Sequence, residues 1–268
     1  SLQRTASTES GLSNRRLAKH SDNAIHVMFT SEHVCELRPA GWMNRPLGSG
    51  SYGIVYRASW RGRDVAVKSL KLPERKLNAT PAAEAKLKEK VEDVLFDFVA
   101  EIEVCADLNH PNLVRLLGYA DKPRLLIVQE LCEGSSLDQQ LYVENWKPTP
   151  SQVLKAAHDI AQGMEYLHTA YNAPDNVHAQ PIIHRDLKSA NLLLAAPPQS
   201  SGDQLLLKVT DFGLSRDKGL DSENYSQTLM MTGCGSVLWM APEILIGQTY
   251  NEKVDIFSYA MCLIELVD

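Results

Sequence analysis

The spacing of hydrophobic and polar positions changes along this chain, and each spacing predicts a different element. Apolar and polar residues alternate around glycines from Leu47 to Leu70, which predicts short antiparallel strands. From Thr80 to Leu108 the apolar residues recur at steps of three and four, which predicts a helix. Thr80 can cap the start of this helix, and Pro81 follows in the first helical position, where proline is favoured.

Beyond Leu108 the pattern continues with two strands, a helix and a less regular stretch. We predict strands at Val114–Leu117 and Leu125–Val128, an amphipathic helix at Ser151–His168, and then loops, short strands and a last apolar helix. Strands first and helices later predict an α+β fold in two lobes. Residues 1–40 are rich in Ser, Thr, Arg and Asn and poor in apolar residues, so we expect a flexible tail there.

Composition excludes several classes of function. The net charge of −6 leaves no basic footprint for nucleic acid. The five cysteines are scattered without metal-ligand spacing, which favours reduced thiols in an intracellular protein over a disulfide framework. No apolar run is long enough to span a bilayer, and no secretory signal pattern is present. We therefore expect a cytoplasmic protein without membrane insertion.

A glycine-rich segment, GSGSYG at residues 48–53, is the first candidate for chemistry. In dinucleotide-binding folds such glycines open a helix, whereas here they lead into the strand-like sequences VYRA and DVAVK. A glycine turn between two strands can fold over phosphates, since its backbone N–H groups approach where a Cβ would collide. The motif alone leaves phosphate binding and an ordinary hairpin turn equally open.

A lysine and a glutamate form the second candidate. Lys68 closes the apolar strand, and the helix at 80–108 offers Glu101 and Glu103 as partners. Glu101 falls on the apolar stripe of that helix, while Glu103 lies off it and is expected to be solvated. A carboxylate on a buried face requires a partner, for which Lys68 is suited. A second solvated charge at the edge of the stripe is the alternative for Glu101.

The segment IHRDLKSANLLL at residues 183–194 carries the strongest signal, because several polar residues at fixed offsets lead into an apolar triplet. Asp186 can accept the proton of an attacking hydroxyl, and Lys188 can neutralise a γ-phosphate. Asn191 offers an amide oxygen to a hard cation, and the carboxylate of Asp211, in TDFG, can bridge a metal to phosphates.

With these motifs, the sequence from about Asn44 to Asp268 resembles a eukaryotic protein kinase. The resemblance implies ATP and Mg²⁺ as cofactors, Lys68 paired with Glu101, Asp186 as catalytic base assisted by Lys188, and Asn191 and Asp211 as metal ligands. It also implies an ATP site that includes the glycine loop, the gatekeeper Gln129 and the hinge after it. The implied ATP-binding residues are Leu47, Gly48, Ser49, Gly50, Ser51, Tyr52, Gly53, Val55, Ala66, Lys68, Gln129, Glu130, Cys132 and Leu193.

The resemblance further implies the class of substrate. Lys188 in HRDLKSAN and Ser236 before Trp239 resemble Ser/Thr kinases, most of all the tyrosine-kinase-like group, which is mostly Ser/Thr-specific. Protein substrates are therefore implied. A pseudokinase would have lost the Lys, Asp or Asn, and none is lost. A dual-specificity or tyrosine kinase is disfavoured by Lys188.

Regulation is also implied by the resemblance. Arg185 resembles the arginine that in many kinases binds a phosphate on the activation segment, which here runs from Asp211 to Glu243. Thr228 and Thr232 are the best candidates for that phosphate, because they lie nearest the substrate-binding stretch at Gly235-Ser236. An upstream kinase or trans-autophosphorylation would supply it. The alternative is that these hydroxyls are ordinary loop composition.

We expect residues 41–131 to form the small lobe and residues 132–268 the large lobe. The large lobe is expected to be incomplete, because the helices that normally finish it are missing from this sequence, and to expose apolar surface. The stretch between Lys68 and Glu101 is longer than in the family, which predicts an extension of the helix or an extra helix. Asp255 in the last helix resembles the buried aspartate that braces the catalytic segment.

Overall fold

The structure, a computed structural model, divides the chain into two compact units. Unit 1 comprises Ser1–Leu108 and Arg115–Glu130, and unit 2 comprises Asn109–Val114 and Leu131–Asp268. The residues that the structure describes are 27–28, 46–50, 53–73, 80–106, 108–121, 124–169, 181–198, 205–212 and 235–268.

Unit 1 is built on a six-stranded sheet in the order β1-β5-β6-β4-β3-β2. Its strands are β1 (Val27–Met28), β2 (Pro46–Gly50), β3 (Gly53–Trp60), β4 (Arg63–Leu70), β5 (Leu116–Ala120) and β6 (Leu126–Glu130). All the pairings are antiparallel except that of β1 with β5. A cluster of small and branched apolar side chains forms the core: Ala58, Val65, Val67, Ala120, Leu126 and Val128.

Two glycines near β3 and β4 occupy positions that demand glycine or favour it. Arg61 and Gly62 join β3 to β4 with φ of 50° and 74°, the left-handed pair that suits the twist of a two-residue hairpin. Gly53 begins β3 so close to β4 that a Cβ on it would lie 2.4 Å from the carbonyl oxygen of Ser69. A side chain is therefore excluded at this position.

One long helix, α1 (Pro81–Ala106), belongs to unit 1. Thr80 Oγ1 accepts a hydrogen bond from the Ala83 N–H at 3.3 Å, so the predicted cap is present. The fully buried side chains lie near the C-terminal end, at Phe98, Glu101, Ile102 and Cys105. The helix is continuous over 26 residues, which shows that the extra length before Glu101 extends it at its N-terminal end.

The structure differs from the sequence prediction in the first forty residues. We predicted a flexible tail for 1–40, yet Val27 and Met28 form β1 and pair with Gly118 and Tyr119 of β5. A two-residue strand gives too little alternation to be seen in a sequence, and its pairing depends on an edge strand far along the chain. The rest of the predicted tail lies outside the described residues.

Unit 2 contains the remaining helices and a two-stranded sheet. Its elements are a π-helical turn (Gln139–Val143), α2 (Pro150–Thr169), a 3-10 turn (Ser189–Asn191), β7 (Leu192–Leu194), β8 (Leu207–Val209), a 3-10 helix (Gly235–Trp239), α3 (Pro242–Leu245) and α4 (Lys253–Val267). Strands β7 and β8 pair antiparallel. None of the helices in the described part of the chain is long and apolar enough to cross a membrane.

Residues 109–114 belong to unit 2, although we predicted 41–131 as one lobe. The reason is backbone pairing with β8: the Val114 N–H donates to the Val209 carbonyl at 2.9 Å, and the Val209 N–H donates to the Asn112 carbonyl at 2.8 Å. The Asn112 side chain also donates to the Leu207 carbonyl at 2.9 Å. These bonds fix the segment to unit 2 before the chain returns to β5.

The last helix, α4, has one buried and one exposed side. Asp255, Ser258 and Cys262 are buried together with apolar neighbours, whereas Ile256 and Ile264 are exposed. Antiparallel strands in unit 1 and mostly helices in unit 2 confirm the predicted α+β fold.

Candidate active site

In unit 1 the predicted lysine and glutamate form a buried ion pair. Lys68 Nζ, on β4, donates to Glu101 Oε1 at 2.8 Å and to Oε2 at 2.9 Å. The side chains are only 10% and 4% exposed, so the pair brings two opposite charges together in a buried site. The partner of Lys68 is therefore Glu101, as predicted, whereas Glu103, which was expected to be solvated, is half-buried. Glu101 is buried because it shares one face of α1 with Phe98 and Cys105.

The sheet of unit 1 also groups several of the predicted ATP-binding residues. Val55 of β3 lies opposite Lys68 of β4, and Ala66 of β4 lies opposite Gln129 of β6. Gln129 is buried, and Glu130 is the last residue of β6. These neighbours are fixed by strand register, because each pair sits on adjacent strands.

The glycine segment is described only in part. Leu47, Gly48 and Ser49 are exposed on β2, and Gly50 pairs with Gly53 across the β2–β3 hairpin. A Cβ on Gly48 would meet no atom within 4 Å, so space alone does not require glycine there. Ser51 and Tyr52, at the tip of the segment, lie outside the described residues.

In unit 2 the segment around Asp186 forms a hydrogen-bonded cluster. Lys188 Nζ donates to Asp186 Oδ2 at 2.7 Å. Asn191 Nδ2 donates to Asp186 Oδ2 at 3.1 Å and to the Asp186 carbonyl at 2.8 Å. The 3-10 turn Ser189–Asn191 lets the chain fold back so that residues two and five positions after Asp186 both reach it. Both donors bind Oδ2, which leaves Oδ1 as the oxygen for an incoming hydroxyl.

His184 links this cluster to the segment that contains Asp211. Its Nδ1 accepts from the Asp186 N–H at 3.3 Å, so its Nε2 carries the proton that is donated to the Thr210 carbonyl at 3.0 Å. The ring also lies 5.5 Å from the ring of Phe212, which is fully buried. His184 therefore fixes the backbone on both sides of the site.

Asp255 of α4 holds the start of the segment around Asp186, as the resemblance implied. Its Oδ2 accepts from the His184 N–H at 2.8 Å, and its Oδ1 accepts from the Arg185 N–H at 2.9 Å. His168 Nε2 lies 2.8 Å from Oδ2. Arg185 adopts φ of 69°, in the left-handed region where a non-glycine residue is strained, and these bonds fix that conformation.

Asn191 and Asp211 have the chemistry of ligands for a hard cation. The amide nitrogen of Asn191 donates to Asp186, so the amide oxygen of Asn191 points away from Asp186. Its backbone carbonyl accepts from the Thr210 N–H at 3.0 Å, directly before Asp211. An amide oxygen and a carboxylate are oxygen donors that Mg²⁺ prefers. The donor set therefore fits the implied metal.

Of the other predicted site residues, some lie in unit 2 and some are not among the residues that the structure describes. Leu193 of β7 is half-buried and pairs with Lys208, and Cys132 is half-buried in the segment after β6. The guanidinium of Arg185 lies 5.4 Å from the centre of the Tyr250 ring. Thr228 and Thr232 lie outside the described residues, so their regulatory role stays a prediction.

Sequence reasoning missed two polar residues that support the segment, His168 and Glu265. Glu265 accepts hydrogen bonds from Ser189 and Trp239. Asp255, Ser258 and Glu265 share one stripe of α4 at helical steps. A carboxylate on such a buried stripe was the same signal that identified Glu101, and it could have identified Glu265 as well.

Comparison with known proteins agrees with this geometry. A family profile described as protein tyrosine and serine/threonine kinase matches residues 42–268. The serine/threonine-protein kinase VIK of Arabidopsis thaliana is 39% identical over 224 residues, which cover 83% of this chain and 44% of that protein. Two probable serine/threonine-protein kinases of Dictyostelium discoideum are 35% identical over 221 residues and 34% identical over 235 residues.

These two matches cover 82% and 84% of this chain and 20% and 14% of the Dictyostelium proteins. The chain thus spans less than half the length of each of these three relatives. The family profile extends over most of the chain and includes Lys68, Glu101, Asp186, Asn191 and Asp211. As its motifs predicted, the chain belongs to the protein tyrosine and serine/threonine kinase family.

Proposed function

We propose that this chain is the catalytic domain of an ATP-dependent protein kinase that transfers the γ-phosphate to Ser or Thr hydroxyls of protein substrates. The observation that carries the proposal is the cluster around Asp186, with Lys188 and Asn191 both bound to Oδ2. This arrangement holds one carboxylate oxygen in a fixed position and presents the other to a substrate. Catalysis by placement and charge stabilisation requires such an arrangement.

Asp186 has a defined task in the proposed reaction. Its Oδ1 accepts the hydrogen bond of the substrate hydroxyl and orients the hydroxyl oxygen toward the γ-phosphorus of ATP. A bond forms between these two atoms while the bond from the γ-phosphorus to the bridging oxygen of ADP breaks, and ADP leaves with the electron pair. The hydroxyl proton passes to Asp186. Lys188 neutralises the negative charge on the transferred group.

The remaining residues bind and orient the nucleotide. Lys68, held by Glu101, binds the α- and β-phosphates, and the glycine segment covers them. Gln129, Glu130 and Cys132 border the adenine. Asn191 and Asp211 would hold Mg²⁺, which when bound neutralises charge on the phosphate oxygens.

Ser/Thr specificity rests on two observations. Lys188 lies two residues after Asp186, as in the Ser/Thr kinases that the sequence resembles. The relatives from Arabidopsis and Dictyostelium are named as serine/threonine-protein kinases. The test is phosphoamino-acid analysis of a generic protein substrate after incubation with labelled ATP and Mg²⁺. We expect phosphoserine and phosphothreonine, with no label in a Lys68→Met variant. Label confined to phosphotyrosine would overturn the assignment.

We also propose that a phosphate on the activation segment raises activity, supplied by an upstream kinase or by a second copy of this chain. The support is Arg185, which carries a cationic side chain and whose backbone N–H is held by Asp255. A phosphate brings close to two negative charges and can bind the guanidinium. Phosphatase treatment is expected to lower the activity, and Thr228→Ala or Thr232→Ala to reproduce the loss. Activity unchanged by all three would contradict this role.

A further inference from the structure

One carboxylate in unit 2 collects hydrogen bonds from three separate elements. Glu265 lies on α4 and accepts from Ser189 Oγ at 2.6 Å and from Tyr142 Oη at 3.0 Å, both through Oε1. Its Oε2 accepts from Trp239 Nε1 at 2.7 Å. Hydrogen bonds to an ionised carboxylate are roughly twice as strong as those between neutral groups. Glu265 therefore joins three elements through one side chain.

The three donors occupy positions that matter for the proposed reaction. Ser189 opens the 3-10 turn that ends at Asn191, directly after Lys188. Trp239 ends the 3-10 helix Gly235–Trp239, which begins in the predicted substrate-binding stretch. Tyr142 lies in the π-helical turn Gln139–Val143. Glu265 thus connects the segment of the catalytic base to the segment expected to bind the protein substrate.

A second contact from the same helix supports this connection. Ser258, two turns before Glu265 on α4, donates from Oγ to the Trp239 carbonyl at 2.7 Å. Trp239 is therefore held by α4 at both its backbone and its indole ring. Asp255, on the same helix, holds the N–H groups of His184 and Arg185. A single rigid helix thereby sets the position of both segments.

We propose that Glu265 is a positioning residue that aligns Asp186 with the bound protein substrate by tying Ser189 and Trp239 to α4. The inference rests on the proposed function, since it concerns the same transfer reaction. Three donors already occupy most of the acceptor capacity of the carboxylate. Its role is therefore geometric, as opposed to that of a negative charge that binds a basic side chain of the substrate.

Two substitutions of Glu265 separate geometry from charge. In Glu265→Gln the amide oxygen can accept from Trp239, while the amide nitrogen donates to the hydroxyls of Ser189 and Tyr142, which can act as acceptors. This variant keeps three bonds and loses the charge. Glu265→Leu loses all three bonds. Tyr259→Phe, which removes a hydroxyl bond from α4 to the Ala157 carbonyl, is the matched control on the same helix.

The measurement is kcat and KM for a peptide and for ATP, in the full chain. We expect Glu265→Leu to lower kcat/KM for the peptide on the order of tenfold to a hundredfold, the scale of a misplaced reactant. KM for ATP should change less than about twofold, because Asn191, which shares the turn with Ser189, keeps its own bonds to Asp186. Glu265→Gln and Tyr259→Phe should stay within about threefold of wild type.

Each alternative result has a distinct meaning. Equal losses in Glu265→Gln and Glu265→Leu, confined to peptides with Lys or Arg, would overturn the proposal in favour of a charge-recognition site. Unchanged peptide kinetics in Glu265→Leu would also overturn it. If Glu265→Leu does not fold, the double variant Ser189→Ala with Trp239→Phe removes the two bonds in question and decides by the same criteria. A wild-type chain without phosphoryl transfer would refute the proposed function, whereas a loss limited to the variants would not.

Discussion

Lys68 and Glu101 come from two elements of unit 1 that lie 33 residues apart, whereas the groups around Asp186 in unit 2 come from one short segment. The first pair is a buried ion pair that joins a strand to a helix. The second group depends on many bonds, several of which reach the segment from α4. The two groups of proposed site residues are thus held in place in two different ways.

This difference predicts different responses to substitution. Removing one partner of the buried pair takes the opposite charge out of a buried site, so the loss of stability should be large, and removing the other partner as well should recover most of it. Removing one anchor of the Asp186 segment costs only that bond, since the other anchors remain. The following experiments test this contrast, starting from the largest expected effect on stability.

Glu101→Leu is expected to destabilise unit 1 by about 3–5 kcal/mol, because it leaves the ammonium of Lys68 in a buried site without this carboxylate. The double variant Lys68→Met with Glu101→Leu should regain most of that loss, since apolar residues of similar volume can replace a buried pair. Urea unfolding measures the free energy of unfolding of the single and the double variant. The exposed Arg57–Asp64 pair is the control, and Asp64→Ala should cost at most about 1 kcal/mol. A double variant as unstable as the single one would contradict the account.

Asp255→Asn is expected to cost about 1–3 kcal/mol, because one of the buried N–H groups of His184 and Arg185 loses its acceptor. The asparagine oxygen can still serve the other. Urea unfolding measures the stability, and faster hydrogen exchange in the variant than in wild type at one of these two amides identifies the cause. Unchanged exchange at both amides would show that Asp255 does not anchor the segment.

The smallest effect concerns Tyr142 at alkaline pH. Partial burial and the hydrogen bond to Glu265 raise the pKa of Tyr142 to about 12 in the folded chain, above the usual value of about 10. The unfolded chain loses this proton first as the pH rises. The stability contributed by Tyr142 is therefore complete below about pH 10 and is lost between about pH 10 and 12.

Comparing the free energy of unfolding at about pH 9 and pH 11 tests this effect. Wild type should lose more stability over this range than Tyr142→Phe, which has no phenolic proton to release. Equal losses in the two proteins would show that the Tyr142 hydroxyl does not interact with Glu265 in the folded state.

The sequence could predict most of the site because its signals are local. The alternation around Gly48–Gly53, the stripe that contains Glu101 and the contiguous HRDLKSAN segment each lie within one or two elements. The cap residues Thr80 and Pro81 correctly predicted where α1 begins, whereas the extra length before Glu101 left an extension and an additional helix both open, and the structure shows an extension. Local patterning and the structure agree at these positions.

Other features could not be predicted, because they depend on contacts between distant parts of the chain. The strand β1 is too short to show a pattern, and its partner β5 lies about ninety residues later. Residues 109–114 belong to unit 2 through bonds with Val209 and Leu207, which no local period reveals. The three donors to Glu265 come from different elements, and only the fold brings them together.

The central claim is that Asp186 orients the substrate hydroxyl and accepts its proton, while other residues bind the nucleotide. The most direct test is the single-turnover rate of phosphoryl transfer in wild type and Asp186→Asn, with the ATP dissociation constant measured in parallel. We expect the rate to fall by about a hundredfold or more, the scale of a general base, and the dissociation constant to stay within a few-fold. A near-normal rate in Asp186→Asn with Mg²⁺ present would contradict the account.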